Sequence, residues 1–206
     1  MRKALDHLLK VDPALRGSSA YRFDLVDTAR QALANHSRVL LPKIRAAYEA
    51  KDLTRFRALT AEWRDGEQKL EAVTGSDPAF LLGTWLSAAR SWGADQAEQD
   101  RYEYDARSLL SVWGRRSTSE GGFLHDYANR EWSGLISELY APRWAHYFAS
   151  LDEALVKKTA PREIDWHAFE AEWAGRTTRH PDRPNGDPYR LAAQIAAALP
   201  AAAAAR

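Results

Sequence analysis

YRFDLVDTARQALANHSRVLLPKIRAAYEA, residues 21–50, is the stretch that decides the fold. Its apolar residues recur every three or four positions, which is the spacing of one face of an α-helix. We expect one long helix here, with a kink at Pro42 because proline removes a backbone hydrogen bond. His36 lies on the same face, where a hydrogen-bonded residue of the core or of an interface is expected. The predicted buried face comprises Val26, Ala29, Leu33, His36, Leu40, Ile44 and Ala47.

The rest of the chain repeats this period, with aspartate or Asp-Pro where helices begin and glycine where several of them end. No stretch has the alternating pattern of a β-strand. The sequence therefore predicts an all-α fold, a compact array of about seven or eight helices of which two are long. Further helices are expected over about residues 2–10, 52–74, 78–92, 95–113, 126–151 and 165–178, and from residue 188 onward.

Composition excludes several classes of function. The formal net charge of +1 provides no general attraction for nucleic acid or for an anionic membrane. The chain contains no cysteine, which excludes disulfides and cysteine-ligated metal sites. No run approaches the ~20 apolar residues of a membrane span. Charged residues interrupt the N-terminal segment MRKALDHLLK, so it does not read as a signal peptide, and the compartment stays open.

Motifs for catalysis are missing from the sequence. The acidic pairs Glu67 with Glu71 and Asp100 with Glu103 stand among basic residues on helices, a pattern typical of exposed surface charge. The six histidines are scattered without the spacing of a metal site, and there is no nucleophile or cofactor motif. We therefore expect no catalytic residue, no metal and no cofactor in this chain.

A second stretch, WGRRSTSEGGFLHDYANREWSGL (113–135), carries the candidate binding residues. Gly114 is expected to end a helix in a left-handed conformation, and Asp126 to cap a new helix with Tyr127 in its first turn. Trp113 and Tyr127 would then present aromatic rings beside a polar loop, an arrangement suited to packing against a sugar. The remaining tryptophans at core spacing are Trp63, Trp85, Trp144, Trp166 and Trp173.

Four ordered segments give the chain a resemblance to a known family. They are YRFDLVDTARQAL (21–33), FLLGTWLSAAR (80–90), LHDYANREWSGL (124–135) and YAPRW (140–144). Together they resemble the helical C-terminal domain of the α-N-acetylglucosaminidases, over about residues 21–191. The approach ALDHLL is similar to the end of that family's joining segment. The resemblance implies a joining segment over 1–20, the helical domain over 21–199 and a frayed alanine-rich tail over 200–206.

In that family a (β/α)-barrel supplies two glutamates that remove terminal α-linked N-acetylglucosamine with retention. The helical domain packs on the barrel and completes the pocket, and its contributing residues correspond to Trp113, Leu124 and Tyr127 here. The resemblance thus implies a domain without catalytic residues, whose partners are a barrel in cis or in trans and a glycan. The parent family is typically exported or lysosomal. The alternative is a freestanding helical module that binds carbohydrate or protein; a docking domain should expose more apolar surface.

Overall fold

The computed structural model describes residues 1–200, and the predicted frayed tail falls outside the described residues from residue 201 onward. The all-α prediction is confirmed over the described part, where one isolated β-bridge joins Leu81 to Ser133. The nine α-helices of residues 1–200 are α1 (Arg2–Leu8), α2 (Ser19–Glu49), α3 (Leu53–Thr74), α4 (Leu82–Arg90), α5 (Gln96–Leu110), α6 (Arg116–Ser119), α7 (Ala141–Lys157), α8 (Trp166–Ala174) and α9 (Pro188–Ala198). Two 3₁₀ turns (Pro13–Leu15, Pro78–Phe80) and a π-helical segment (Ile136–Tyr140) complete them.

The helices α2 and α3 form a frame on which α1, α7, α9 and the π-helical segment pack, while α4 and α8 pack on α5. The α2 helix continues through Pro42 without interruption. The Asp52 carboxylate accepts a hydrogen bond of 3.0 Å from Arg55 N and caps the start of α3, as an aspartate at that position should. Gly75 follows the last residue of α3, as the sequence predicts. The long amphipathic pair is therefore specified by local sequence.

Three apolar clusters hold the array together. The first joins α1, the first half of α2, the end of α3 and α9, and the second joins α4, α5, the π-helical segment and α8. The third joins the second half of α2 to α3 and α7. Their most buried large members include Leu5, Leu25, Ile44, Phe56, Leu82, Leu135, Leu139, Trp173 and Ile195.

Within residues 1–200, no helix is both long enough and apolar enough to cross a membrane.

The predicted helix over 126–151 is wrong at its start. Residues 126–134 are not helical, and regular helix begins only just before the π-helical segment that leads into α7. Asp126 has φ +58°, a left-handed conformation rather than the extended one of an N-cap, and its carboxylate binds Arg143. Tyr127 is consequently a loop residue. Pro142 is the second residue of α7, where the π-helical segment has just ended.

Two further expectations need correction. The α5 helix ends at Leu110 rather than at Trp113, because the chain turns away there. Trp85, predicted to be core, is 38% exposed, and its indole N–H donates to Ala106 O at 3.1 Å. Trp173 is buried as predicted, and Trp63 and Trp144 pack partly buried against each other with ring centroids 4.4 Å apart. A helical spacing alone does not distinguish the rim of a helix face from its centre.

Candidate functional site

The candidate binding residues lie in the connection over residues 111–134, which contains the short helix α6 and which we call the aromatic loop. It starts where α5 ends: Trp113 N donates to Ser108 O at 2.7 Å, which closes the last turn. Trp113 has φ +58° and Gly114 φ +148°. The prediction that Gly114 ends the helix as a left-handed cap is wrong, because α5 already ends at Leu110 and the left-handed helical φ occurs at Trp113 instead.

The structure brings two of the three predicted site residues together. The rings of Trp113 and Tyr127 meet edge to face, with centroids 5.4 Å apart. Trp113 is partly buried, whereas Tyr127 is 70% exposed, so one ring of the pair packs against the domain and the other faces solvent. Leu124, three residues before Tyr127, is partly buried. Its N–H donates to Ser119 O and its carbonyl accepts from Tyr127 N, both at 3.1 Å.

Backbone strain is concentrated in this loop. Trp113, Phe123 and Asp126 have φ of +58°, +54° and +58°. A left-handed conformation costs a residue with a Cβ roughly 1–2 kcal/mol, although aspartate tolerates it better than most. Such strain persists only where surrounding contacts impose it, and it is common at ligand-binding segments. The loop geometry is therefore imposed by partners elsewhere in the molecule.

A cluster of four ionisable side chains joins this loop to α7 and α8. The Arg143 guanidinium donates to both oxygens of Asp126, at 3.0 and 2.6 Å, and to Glu170 Oε1 at 2.7 Å. His125 Nε2 lies 2.9 Å from Glu170 Oε2. The Glu170 side chain is fully buried; burial raises its pKa above the usual range, while the nearby charges of Arg143 and His125 oppose that rise. We call these four residues the charged clasp.

Three members of the clasp are also potential metal ligands. His125, Asp126 and Glu170 each offer an atom within 4.8 Å of the others. Arg143 already occupies both Asp126 oxygens, and the two carboxylates approach opposite ring nitrogens of His125, Asp126 at Nδ1 and Glu170 at Nε2. The guanidinium supplies the positive charge here.

The acidic pairs predicted as exposed charge are placed differently. Glu103 is 2% exposed and binds Arg107 and Arg90, and Arg90 also binds the half-exposed Asp100. Glu71 accepts hydrogen bonds from the Ser133 hydroxyl and from the backbone N–H groups of Gly134 and Ser137, at and just after the end of the aromatic loop. The partners of Glu71 are 62–66 residues away, so no local pattern reveals them, whereas Glu103 has one partner at helical spacing, Arg107, and a second, Arg90, 13 residues before it. The expectation of surface charge is wrong for Glu71 and Glu103.

Glu67 differs again, because it lies in the wall of a cavity of about 310 Å³ between α2, α3, α7 and the aromatic loop. Both of its carboxylate oxygens are inaccessible to water and lack a hydrogen-bond partner within the described residues. Burial raises the Glu67 pKa to about 7, against a smaller opposing contribution from Trp63. His36 lines the same cavity and pairs with Glu62 at 2.8 Å, as expected of a hydrogen-bonded histidine on a buried face.

Comparison with known proteins connects this geometry to a family. The family model for the C-terminal domain of α-N-acetylglucosaminidase matches residues 1–198. Human α-N-acetylglucosaminidase is 35% identical over 193 residues, which make up 91% of this chain and 25% of the human protein.

Solved structures agree with the sequence match. A family 89 glycoside hydrolase from Clostridium perfringens, in complex with its substrate GlcNAc-α-1,4-galactose, matches with a TM-score of 0.89 and 29% identity over 93% of this chain and 22% of that one. The Clostridium perfringens enzyme in complex with PUGNAc gives the same TM-score and identity over 94% and 23%. The chain spans about a quarter of the length of these relatives. Matched from residue 1 to residue 198, it belongs to the family of α-N-acetylglucosaminidase C-terminal domains.

Proposed function

We propose that this chain completes the substrate pocket of an α-N-acetylglucosaminidase, with Trp113, Leu124 and Tyr127 contacting a terminal α-linked N-acetylglucosamine. The observation that carries the proposal is the edge-to-face pair of Trp113 and Tyr127 on the strained aromatic loop. Aromatic rings of this kind offer a face to the C–H groups of a pyranose and a polar edge to its hydroxyls. The Clostridium perfringens relative was solved with a glycan that ends in N-acetylglucosamine.

The chemistry would come from another domain. A retaining glycosidase needs two carboxylates about 5–5.5 Å apart, one as nucleophile and one as acid and base. Beside the aromatic loop, Asp126 and Glu170 both hydrogen-bond to Arg143, which keeps them as ion pairs rather than reactive groups. We infer that the chain is not catalytic alone and that its partner is a catalytic (β/α)-barrel, in cis or in trans.

Exposed aromatic side chains supply contact surface on either alternative. Phe123 is 89% exposed, Trp92 82% and Tyr127 70%. Single exposed rings are common on soluble domains, and only a contiguous apolar patch marks a docking surface. On this proposal the barrel covers part of that surface, whereas a freestanding carbohydrate-binding module would bind a glycan through the same rings without any barrel.

The proposed joining role of residues 1–20 is compatible with their packing. Leu5 of α1 is fully buried in the first apolar cluster, so the segment is anchored to the domain over residues 21–199. A barrel fused ahead of residue 1 would therefore be held close to the helical array.

Reconstitution tests the proposal. A catalytic barrel of the family would be assayed on a chromogenic α-N-acetylglucosaminide alone, with this chain in trans, and with this chain fused behind it. We expect turnover to rise when the chain is present and to fall again with Trp113→Ala or Tyr127→Ala. Tyr104→Ala is the matched control, because Tyr104 is also exposed (47%) but lies on α5 outside the aromatic loop. If glycan binds the isolated chain and the barrel gains nothing, the freestanding module is the better description.

A further inference from the structure

The charged clasp connects three separate parts of the chain. Asp126 and His125 belong to the aromatic loop, Arg143 to the first turns of α7, and Glu170 to α8. Arg143 binds both carboxylates through a planar guanidinium whose donors have fixed directions. Such a bidentate contact constrains the orientation of the Asp126 side chain as well as its distance from α7.

The buried end of the clasp makes this constraint strong. The Glu170 side chain has no exposed surface, and a buried carboxylate is stable only with charged or hydrogen-bonding partners. If Arg143 moved away from Glu170, the buried carboxylate would lose its guanidinium partner, which is unfavourable. The guanidinium is thus held by α8 and in turn holds Asp126.

Asp126 passes this restraint from Arg143 to the backbone beside Tyr127. Its φ of +58° sets the direction in which the chain continues into Tyr127. Its N–H donates to Ser111 O at 3.2 Å, which ties the same residue to the beginning of the aromatic loop, two positions before Trp113. Asp126 therefore joins the backbone that leads into Tyr127 to the backbone just before Trp113.

We propose that Asp126, Arg143 and Glu170 are positioning residues that hold Tyr127 against Trp113 in the orientation needed for substrate. They touch no substrate themselves. The effect on turnover rests on the proposed function, but the effect on the loop can be measured in this chain alone.

The first experiment uses the isolated chain with Asp126→Gly, which removes the carboxylate and tolerates positive φ, and Asp126→Asn, which keeps a hydrogen-bonding side chain suited to that φ. Asp152→Asn is the matched control, because Asp152 accepts a similar fork from Arg57 (2.7 and 2.9 Å) between α3 and α7, far from the aromatic loop in sequence. Amide hydrogen exchange over residues 120–131 and the NOE between the Trp113 and Tyr127 rings are recorded.

For Asp126→Gly we expect exchange over residues 120–131 to accelerate by about tenfold or more, with exchange in α2 and α3 unchanged, since local opening leaves the frame intact. The ring NOE should be lost. Asp126→Asn should retain part of both signals, and Asp152→Asn all of them. Unchanged exchange and an unchanged NOE in Asp126→Gly would overturn the proposal.

The second experiment uses the barrel joined to this chain. We expect Asp126→Gly to lower kcat/KM by about ten- to a hundredfold, because a misplacement of about 1 Å costs up to roughly a hundredfold. The double variant Asp126→Gly, Tyr127→Ala should be no worse than Tyr127→Ala, because the aspartate acts through the tyrosine. Additive losses would contradict a positioning role. If Tyr127→Ala itself leaves turnover unchanged, the proposed function fails, and the loop measurements show separately whether the clasp holds the ring pair.

Discussion

The α2–α3 frame and the aromatic loop are stabilised by different means. The frame buries continuous apolar faces, and its helix ends are capped by neighbours in sequence such as Asp52. The loop contributes few buried apolar side chains; it is held by Arg143 at Asp126 and by Glu71 at residues 133–137. Apolar burial tolerates small shifts, whereas directional ionic contacts fix one geometry. The difference indicates that stability resides in the frame and the geometry of the candidate site in the clasp.

The largest effect should come from the frame. Phe56 is 1% exposed and packs edge to face on Phe148 with centroids 6.3 Å apart. Phe56→Ala should lower the free energy of unfolding by about 3–5 kcal/mol, the usual cost of deleting a buried aromatic ring. Urea denaturation followed by circular dichroism measures it. A cost below that of Trp113→Ala would remove the distinction between the two regions.

The next effect depends on pH and concerns Glu67, in the cavity between the α2–α3 frame and the aromatic loop. The folded-state pKa of Glu67 is raised from 4.5 to about 7, so its charged form is disfavoured in the fold. Its contribution to stability should therefore fall as pH rises from about 4.5 through 7 and then stay constant. Glu67→Gln should remove that loss and stabilise the chain at pH 8 by on the order of 2 kcal/mol, with little change near pH 4.

Denaturation of wild type and Glu67→Gln at several pH values checks this prediction. Glu62→Gln is a useful control, because Glu62 lines the same cavity but is paired with His36. Parallel pH profiles for wild type and Glu67→Gln would show that the Glu67 carboxyl titrates normally.

A smaller effect is expected at Trp113, where backbone strain and side-chain burial oppose each other. Trp113→Ala should cost about 1–2 kcal/mol, because the ring is only partly buried and alanine keeps the unfavourable φ of +58°. Trp113→Gly should be more stable than Trp113→Ala by roughly 0.5–1 kcal/mol, since glycine adopts this conformation freely. Thermal denaturation of the two variants makes the comparison directly. If Trp113→Ala were more stable than Trp113→Gly, position 113 would not have a strained backbone.

The sequence predicted the frame well and the loop poorly, for one physical reason. Asp52, Asp95, Asp165 and Asp187 each cap the helix predicted to follow them, because a cap is a contact between near neighbours. Asp126 has the same local appearance, but its carboxylate binds Arg143, and its φ is left-handed.

The difference between local and tertiary contacts also explains the outcomes for the acidic residues and for the aromatic pair. Glu71 and Glu103 looked like surface charge because their partners are set by tertiary packing. Trp113 and Tyr127 are predicted from their positions beside a polar loop, whereas Leu124 comes only from the family resemblance, which carries tertiary information that a local pattern lacks. The edge-to-face contact of the two rings was not predictable from spacing.

The most direct test of the central claim deletes a single oxygen. Tyr127→Phe keeps the exposed ring and removes only its hydroxyl, and Tyr104→Phe on α5 is the matched control. In the isolated chain, Tm should not change for either variant. In the barrel-joined enzyme, Tyr127→Phe should lower kcat/KM by about two- to tenfold, the value of one hydrogen bond of roughly 0.5–1.5 kcal/mol, while Tyr104→Phe should have no effect. Full turnover with Tyr127→Phe, or a fall in Tm of the isolated chain, would contradict a loop built for the substrate rather than for stability.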